Sequence, residues 1–117
     1  MVEGRGETAL EPPESVALTR YEAELERLSQ LPRAERFEQL IAFPTRHLFK
    51  VIGRPGCSEE VQRAVRALGF AEVVVVERPS AKGKYLSVTF TLEVPDGHAL
   101  DRVYQALEQL PDVVYLL

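Results

Sequence analysis

Residues 85–94, with the sequence YLSVTFTLEV, alternate apolar and polar side chains over ten positions. Leucine, valine and phenylalanine occupy the even positions, whereas tyrosine, serine, threonine and glutamate occupy the odd ones. Successive side chains of a strand point to opposite faces of a sheet. The stretch therefore predicts a strand, which we place at 84–94, with one face packed beneath helices and one polar face.

The segments on either side complete a βαββαβ order of elements. The predicted elements are a strand at 47–53, a helix that Ser58 caps and Gly69 closes, a strand at 70–78 containing four consecutive valines, the strand at 84–94, a helix that Asp96 caps and Pro111 ends, and a strand at 113–117. This order predicts a ferredoxin-like α+β fold, in which a four-stranded antiparallel sheet carries both helices on one face.

The N-terminal third follows a different pattern. Residues 1–18 contain four Glu among Gly and Pro residues and are predicted to be a disordered acidic arm. Residues 19–43 are predicted to be a helical extension of two short helices, the first with Thr19 and Glu22 at capping-box spacing. Their apolar stripes are Tyr21, Leu25 and Leu28, then Phe37, Leu40 and Ile41. Because short helices are marginal alone in water, we expect them to dock on the domain at 44–117 or on a second copy.

Composition narrows the class of protein further. The chain has 117 residues, 45% of them hydrophobic and 27% charged, which is typical of one small globular domain. Through Thr45 there are nine Glu and five Arg, a balance of −4, whereas the remainder has nine acids and nine bases. A neutral domain with an acidic arm is a poor partner for nucleic acid or anionic membranes. With one cysteine and no long apolar run, we expect a cytoplasmic protein without disulfides.

The predicted topology brings three connections to one end of the sheet, and this end is the candidate site. The connections are the turn at 53–57, the hairpin at 79–83 and the turn at 111–112. Basic side chains and the amide end of the first helix meet there, which favours an anionic ligand. The predicted ligand-binding residues are Gly53, Arg54, Gly56, Ser58, Lys82, Gly83 and Lys84. The alternative is a solvated basic loop, since Glu59 and Glu60 partly neutralise the helix end.

Other reactive groups point to no chemistry. Cys57 precedes a helix, where the helix dipole would lower its pKa, but an ordinary small turn residue is the better interpretation. His47 and His98 lack a third ligand, so we predict neither a metal site nor a cofactor. An acylphosphatase needs an Asn, which the chain lacks, and an RNA-recognition sheet needs stacking aromatics where Lys84 and Leu86 stand.

The stretches FPT at 43–45, KVIG at 50–53 and RPSAKGKYLSV at 78–88 resemble the YbeD-like family of small bacterial proteins of unknown function. The resemblance covers roughly residues 40–117 and implies a ferredoxin-like fold. That family is compared with ACT domains, which bind amino acids at a shared interface and regulate attached enzymes. Arg54-Pro55-Gly56 is similar to the ACT ligand turn, with Ile52 or Gly53 where that turn carries an acid.

The sequence therefore predicts a non-enzymatic, ACT-like regulatory or interaction domain. The partners we expect are a small anionic metabolite, a protein or a second copy of the chain, without membrane binding. An RNA-binding module that uses the open face of the sheet, and a plain protein-interaction adaptor, are the alternatives.

Overall fold

The computed structural model describes residues 14–117 and divides the chain into two units, the first ending at Pro32 and the second comprising Arg33–Leu117. The first unit contributes helix α1, Glu14–Ser29, in which Arg27 donates to Glu24 over 2.7 Å. Residues 1–13 of the predicted disordered arm at 1–18 lie outside the described residues. Because α1 begins at Glu14, Thr19 lies inside the helix, and its prediction as the N-terminal cap is wrong.

The second unit contains two helices and four strands in the predicted order, preceded by one short helix. The elements are α2, Arg33–Leu40; β1, Thr45–Gly53; α3, Cys57–Ala67; β2, Val76–Pro79; β3, Leu86–Val94; α4, Gly97–Glu108; and β4, Val113–Leu116. Among residues 14–117, no helix combines the length and the apolar character that a membrane span requires.

The four strands form one antiparallel sheet in the order β2-β3-β1-β4. β1 and β3 pair along their whole length, from Thr45 opposite Val94 to Gly53 opposite Leu86. Antiparallel neighbours in this order, with a helix after β1 and another after β3, make the ferredoxin-like arrangement. The predicted fold class is confirmed.

The core lies between the sheet and helices α3 and α4. Phe90 is 2% exposed, and its ring stacks on that of Phe49 at 5.1 Å between centroids. The buried residues contributed by β3 are Val88, Phe90, Leu92 and Val94. Ser87, Thr89 and Thr91 are half-buried on the opposite face. The alternation predicted for this strand, including its register, is therefore confirmed.

Helix α2 packs on α4 through charged contacts. The Arg33 guanidinium donates to Asp101 and, over 2.6 Å, to Glu108, and it lies 5.6 Å from the centre of the Tyr104 ring. The Glu38 carboxylate accepts from the backbone N–H of Gly97, the first residue of α4. Ala34 is buried and Phe37 and Ile41 pack against the core, whereas Leu40, which the sequence places on the same apolar stripe, is 67% exposed. The compact unit thus includes a helix that the sequence assigns to an extension.

The second strand is shorter than predicted. Only Val76–Pro79 pairs with β3, and the preceding residues 70–75 belong to no ladder. Phe70, Val73 and Val75 nevertheless pack against the core. Side-chain burial, rather than strand pairing, therefore holds this segment in place.

The start of α3 also differs from the prediction. The N-cap is Gly56, at φ 100°, and the N–H of Cys57 donates to the carbonyl of Arg54 over 3.0 Å. This tight turn starts the helix two residues earlier than predicted, so Ser58 is inside it and is not the cap. At the other two predicted ends, Gly69 takes a left-handed φ of 105° and the Asp96 carboxylate accepts from the N–H of Ala99 over 2.8 Å, as expected.

Candidate functional site

Three connections meet at one end of the sheet, as the topology predicts. Gly53 at the end of β1 is paired with Leu86 at the start of β3, and Leu86 is paired with Pro79 at the end of β2. Gly53 is also paired with Val113 at the start of β4. The β1–α3 turn, the β2–β3 hairpin and the α4–β4 turn therefore lie side by side.

The β1–α3 turn carries four of the predicted ligand-binding residues, and two of them serve packing. Gly53 is buried, and a Cβ at this position would meet the Asp112 carbonyl oxygen and lie 2.9 Å from the Cys57 Sγ. Ser58 is 5% exposed, and its hydroxyl donates to Glu77 Oε2 over 2.6 Å. The Arg54 side chain is 63% exposed and reaches Asp112 at 4.0 Å.

The β2–β3 hairpin carries the other three predicted ligand-binding residues, Lys82, Gly83 and Lys84. Its turn is closed by the N–H of Ser80 donating to the Tyr85 carbonyl over 2.8 Å, and Gly83 occupies it at φ 70°. Lys82 and Lys84 are exposed, and the Lys84 Nζ lies 5.5 Å from the centre of the Tyr85 ring. The seven residues thus lie on two neighbouring connections, and their action as one ligand site stays a prediction.

Carboxylates surround the amide end of α3. Asp112 raises the pKa of Glu60, because a protonated Glu60 can donate a hydrogen bond to the Asp112 carboxylate, and burial and the Asp112 charge act in the same direction. Burial raises the pKa of the Cys57 thiol, and the charges of Glu60 and Asp112 add to this effect. The position of Cys57 at a helix N-terminus predicts the opposite, a lowered thiol pKa. Two acidic groups beside the free amides disfavour an anion at this helix end.

Glu60→Gln is expected to stabilise the protein at neutral pH. Because the pKa of Glu60 is raised above its ordinary value of 4.5, the folded state binds the proton more tightly than the unfolded state. The contribution of Glu60 to stability is therefore present at acid pH and lost as pH rises through the folded-state pKa. Glutamine keeps a donor for Asp112 at every pH, so the urea midpoint of the variant should exceed that of the wild type at about pH 7.

The control for this substitution is Glu59→Gln, since Glu59 is an exposed neighbour on the same turn of helix. Its urea midpoint should follow that of the wild type across the pH range. If Glu60→Gln lowers the midpoint at neutral pH, the pKa of Glu60 is not raised in the folded state.

The open face of the sheet, away from the helices, carries a cationic depression. One hollow of about 280 Å³ is lined by Lys50, Val76, Arg78, Ser87 and Thr89. An adjoining hollow of about 220 Å³ shares Arg78 and Ser87 and is lined also by Ile52, Pro79, Ser80 and Tyr85. We call these two hollows the open-face site.

The strand register explains why these side chains converge. Thr89 lies between Lys50 on one side and Val76 on the other, and Ser87 lies between Ile52 and Arg78. Lys50 and Arg78 are exposed, and neither forms an ion pair with any residue of the described chain. Two cations thus flank two half-buried hydroxyl groups. The strand alternation predicts that Lys50 lies on this face, but it does not by itself reveal the pairing with β2 that brings Arg78 beside it.

Other reactive groups are engaged within the fold. The His47 ring lies 3.2 Å from the Tyr104 hydroxyl, and burial lowers the pKa of His47. Within the part of the chain that the structure describes, no three His, Cys, Asp or Glu side chains form a group that could hold a metal ion.

The fold and these surfaces define the class of protein, a small α+β domain with a polar open sheet face.

The chain belongs to a family that is described as a protein of unknown function, DUF493, whose model matches residues 38–117. A UPF0250 protein of Janthinobacterium is 35% identical over 86 residues, which are 68% of this chain and 92% of the relative. A UPF0250 protein of Nitrosomonas europaea is 34% identical over 84 residues, 68% of this chain and 97% of the relative. The resemblance to the YbeD-like family is thereby confirmed.

A solved structure supports the fold alone. The solution structure of HP0495 from H. pylori has a TM-score of 0.59 and 19% sequence identity, and covers 66% of this chain and 85% of its own. The family model, over residues 38–117, spans the four strands and helices α3 and α4.

Proposed function

We propose that the domain is a non-catalytic, ACT-like interaction module of the cytoplasm that binds a small anion at the open-face site. The observation that carries this proposal is the pair of exposed cations, Lys50 and Arg78, beside the hydroxyl groups of Ser87 and Thr89. Guanidinium, ammonium and hydroxyl groups are the side chains that recognise carboxylates and phosphates in proteins.

The neighbouring surface sets the class of ligand. Ile52, Pro79 and the Tyr85 ring line the adjoining hollow, which shares Arg78 with the cationic one. A ligand that places its acidic group between Lys50 and Arg78 can therefore lay an apolar portion against Ile52 and Tyr85. The two hollows are small, which suits a compact carboxylate or phosphate ester.

The electrostatics favour the open face over the turn that the sequence indicates. At the turn, Glu60 and Asp112 stand beside the amides of α3, and Asp112 faces Arg54 at 4.0 Å. At the open-face site no described carboxylate pairs with Lys50 or Arg78. Compared with the β1–α3 turn, the open face therefore offers an incoming anion cations that no neighbouring carboxylate neutralises.

Lys50→Gln and Arg78→Gln are each expected to weaken the binding of inorganic phosphate by about five- to tenfold, since each removes one charged hydrogen-bond donor. Titration calorimetry of the full chain with phosphate and with short-chain carboxylates measures this. The matched control is Arg54→Gln, which removes an exposed cation from the turn. Equal losses in all three variants, or a loss in Arg54→Gln alone, contradict the open-face site.

Single-stranded RNA is the second candidate ligand of the same surface. Tyr85 is 38% exposed, and Tyr115, which is paired with Ile52, is 60% exposed. Exposed aromatic rings beside cations can stack bases. In the same calorimetry, RNA oligomers that bind more tightly than phosphate and lose affinity in Tyr115→Ala favour this candidate, because Tyr115 lies outside both hollows.

A further inference from the structure

Residues 70–75, which precede β2, form a segment without backbone partners. None of their N–H or C=O groups hydrogen-bonds to another backbone group of the described chain. A hollow of about 390 Å³ separates residues 70–72 from Thr91, Leu92 and Glu93 of β3. The segment thus lies outside its own sheet up to the start of β2, although valine is among the residues that most favour strands.

The side chains of this segment already alternate as they do in a strand. Val73 and Val75 are half-buried and pack against the core, whereas Val74 is 82% exposed and Val76 is 67% exposed. β2 is also an edge strand of the sheet. Residues 72–78, the end of this segment followed by the edge strand β2, therefore present unpaired backbone groups and two exposed valines. Such an edge is a template for pairing with another strand.

The charges on this edge are self-complementary. Glu72 and Arg78 each stand three residues from Val75, one before it and one after it, and Val74 and Val76 flank Val75 directly. In an antiparallel pair of two copies related by a two-fold axis at Val75, Glu72 of each copy faces Arg78 of the other. Val74 of each copy then faces Val76 of the other, on the same face.

We propose that the occupant of this edge is a second copy of the chain, paired antiparallel about Val75. A two-fold interface requires one surface to be complementary to itself, which this spacing of charges provides. Pairing centred on Val74 sets Glu72 against Val76, and pairing centred on Val76 sets Glu72 against Ser80. Neither alternative register matches the charges. Registers shifted by one residue would place the core-facing valines opposite the exposed ones.

The dimer joins two four-stranded sheets into one of eight strands and removes an exposed apolar edge from solvent. The dimer would also affect anion binding, because Arg78 belongs both to the open-face site and to the paired edge. The partner's Glu72 and a bound anion would compete for the same guanidinium group, whereas Lys50 is free of this competition.

Sedimentation equilibrium of the full chain tests the proposal through a charge exchange. Glu72→Arg and Arg78→Glu each place like charges opposite one another twice in the dimer, so each should weaken dimerisation at least about tenfold. The double variant E72R/R78E restores both pairs with their signs exchanged and should regain the wild-type dissociation constant. Glu93→Arg, an exposed charge reversal on β3 outside the edge, is the control and should dimerise as the wild type does.

Circular dichroism before each run checks that the variants are folded, and Glu72 and Arg78 are exposed enough for the exchange to leave the core untouched. Dimerisation lost in both single variants and restored in the double variant supports the pairing. A wild-type chain that stays monomeric at the highest soluble concentration overturns it. A dimer that all four variants share equally also overturns it, because that dimer would use another surface.

Discussion

Phe90→Ala is expected to lower the free energy of unfolding by about 3–5 kcal/mol, the usual cost of truncating a buried phenylalanine to alanine. Phe90 is 2% exposed, lies at the centre of β3 and stacks on Phe49, to which it is also paired across the strands. Removing its ring leaves a cavity against the neighbouring strand and beneath the helices. The layer there is close-packed, so the cavity can close only in part.

Urea unfolding followed by circular dichroism measures the loss, with Thr89→Ala as the matched control. Thr89 is the preceding residue on the same strand but lies half-buried on the open face. Its truncation should cost well under the loss seen for Phe90, about 1 kcal/mol or less. Comparable losses in the two variants would mean that the assignment of the two faces of β3 is wrong.

Gly53→Ala is expected to destabilise the protein by about 3 kcal/mol through overpacking. The added methyl group would meet the carbonyl oxygen of Asp112, which accepts the N–H of Arg54 over 2.8 Å. It would also lie 2.9 Å from the buried Cys57 Sγ. Neither neighbour is the far end of a flexible side chain, so the β1–α3 turn and the α4–β4 turn must move apart.

Gly83→Ala provides the comparison, because both glycines belong to the predicted ligand site. Gly83 stands at φ 70° with open space around its Cα, so alanine there should cost about 1 kcal/mol from backbone strain alone. The thermal midpoints of the two variants, measured at one pH, should therefore fall in the order wild type, Gly83→Ala, Gly53→Ala. A Gly53→Ala protein as stable as the wild type would show that the glycine is not needed for packing.

Much of the fold follows from the sequence because strand alternation is a local property. The pattern in 85–94 sets which side chains are buried, and the turn and cap residues at Gly69 and Asp96 end or begin helices by backbone rules that need no distant partner. The bounds of β2 could not be read in this way. Four consecutive valines favour a strand, but pairing also depends on where the edge of β3 lies, and Val73 and Val75 reach the core without it.

The open-face site is harder to predict from the sequence than the fold is. The ligand-binding residues predicted from the sequence lie on two connections, and a basic or Gly-rich connection can be recognised in the sequence alone. The charge environment is not visible, since Asp112 lies fifty-two residues after Glu60 and comes beside it only when β4 pairs with β1. Lys50 and Arg78 are likewise joined only by the sheet order, through the two strands that flank β3.

If an anion binds the open face and not the turn, a backbone amide NMR titration of the full chain with phosphate shows it most directly. We expect the largest shift changes at Lys50, Arg78, Ser87 and Thr89, and we expect them to shrink as salt is added. Changes confined to Arg54, Ser58, Lys82 and Lys84, with the open face unmoved, would contradict it and return the site to the turn and the hairpin.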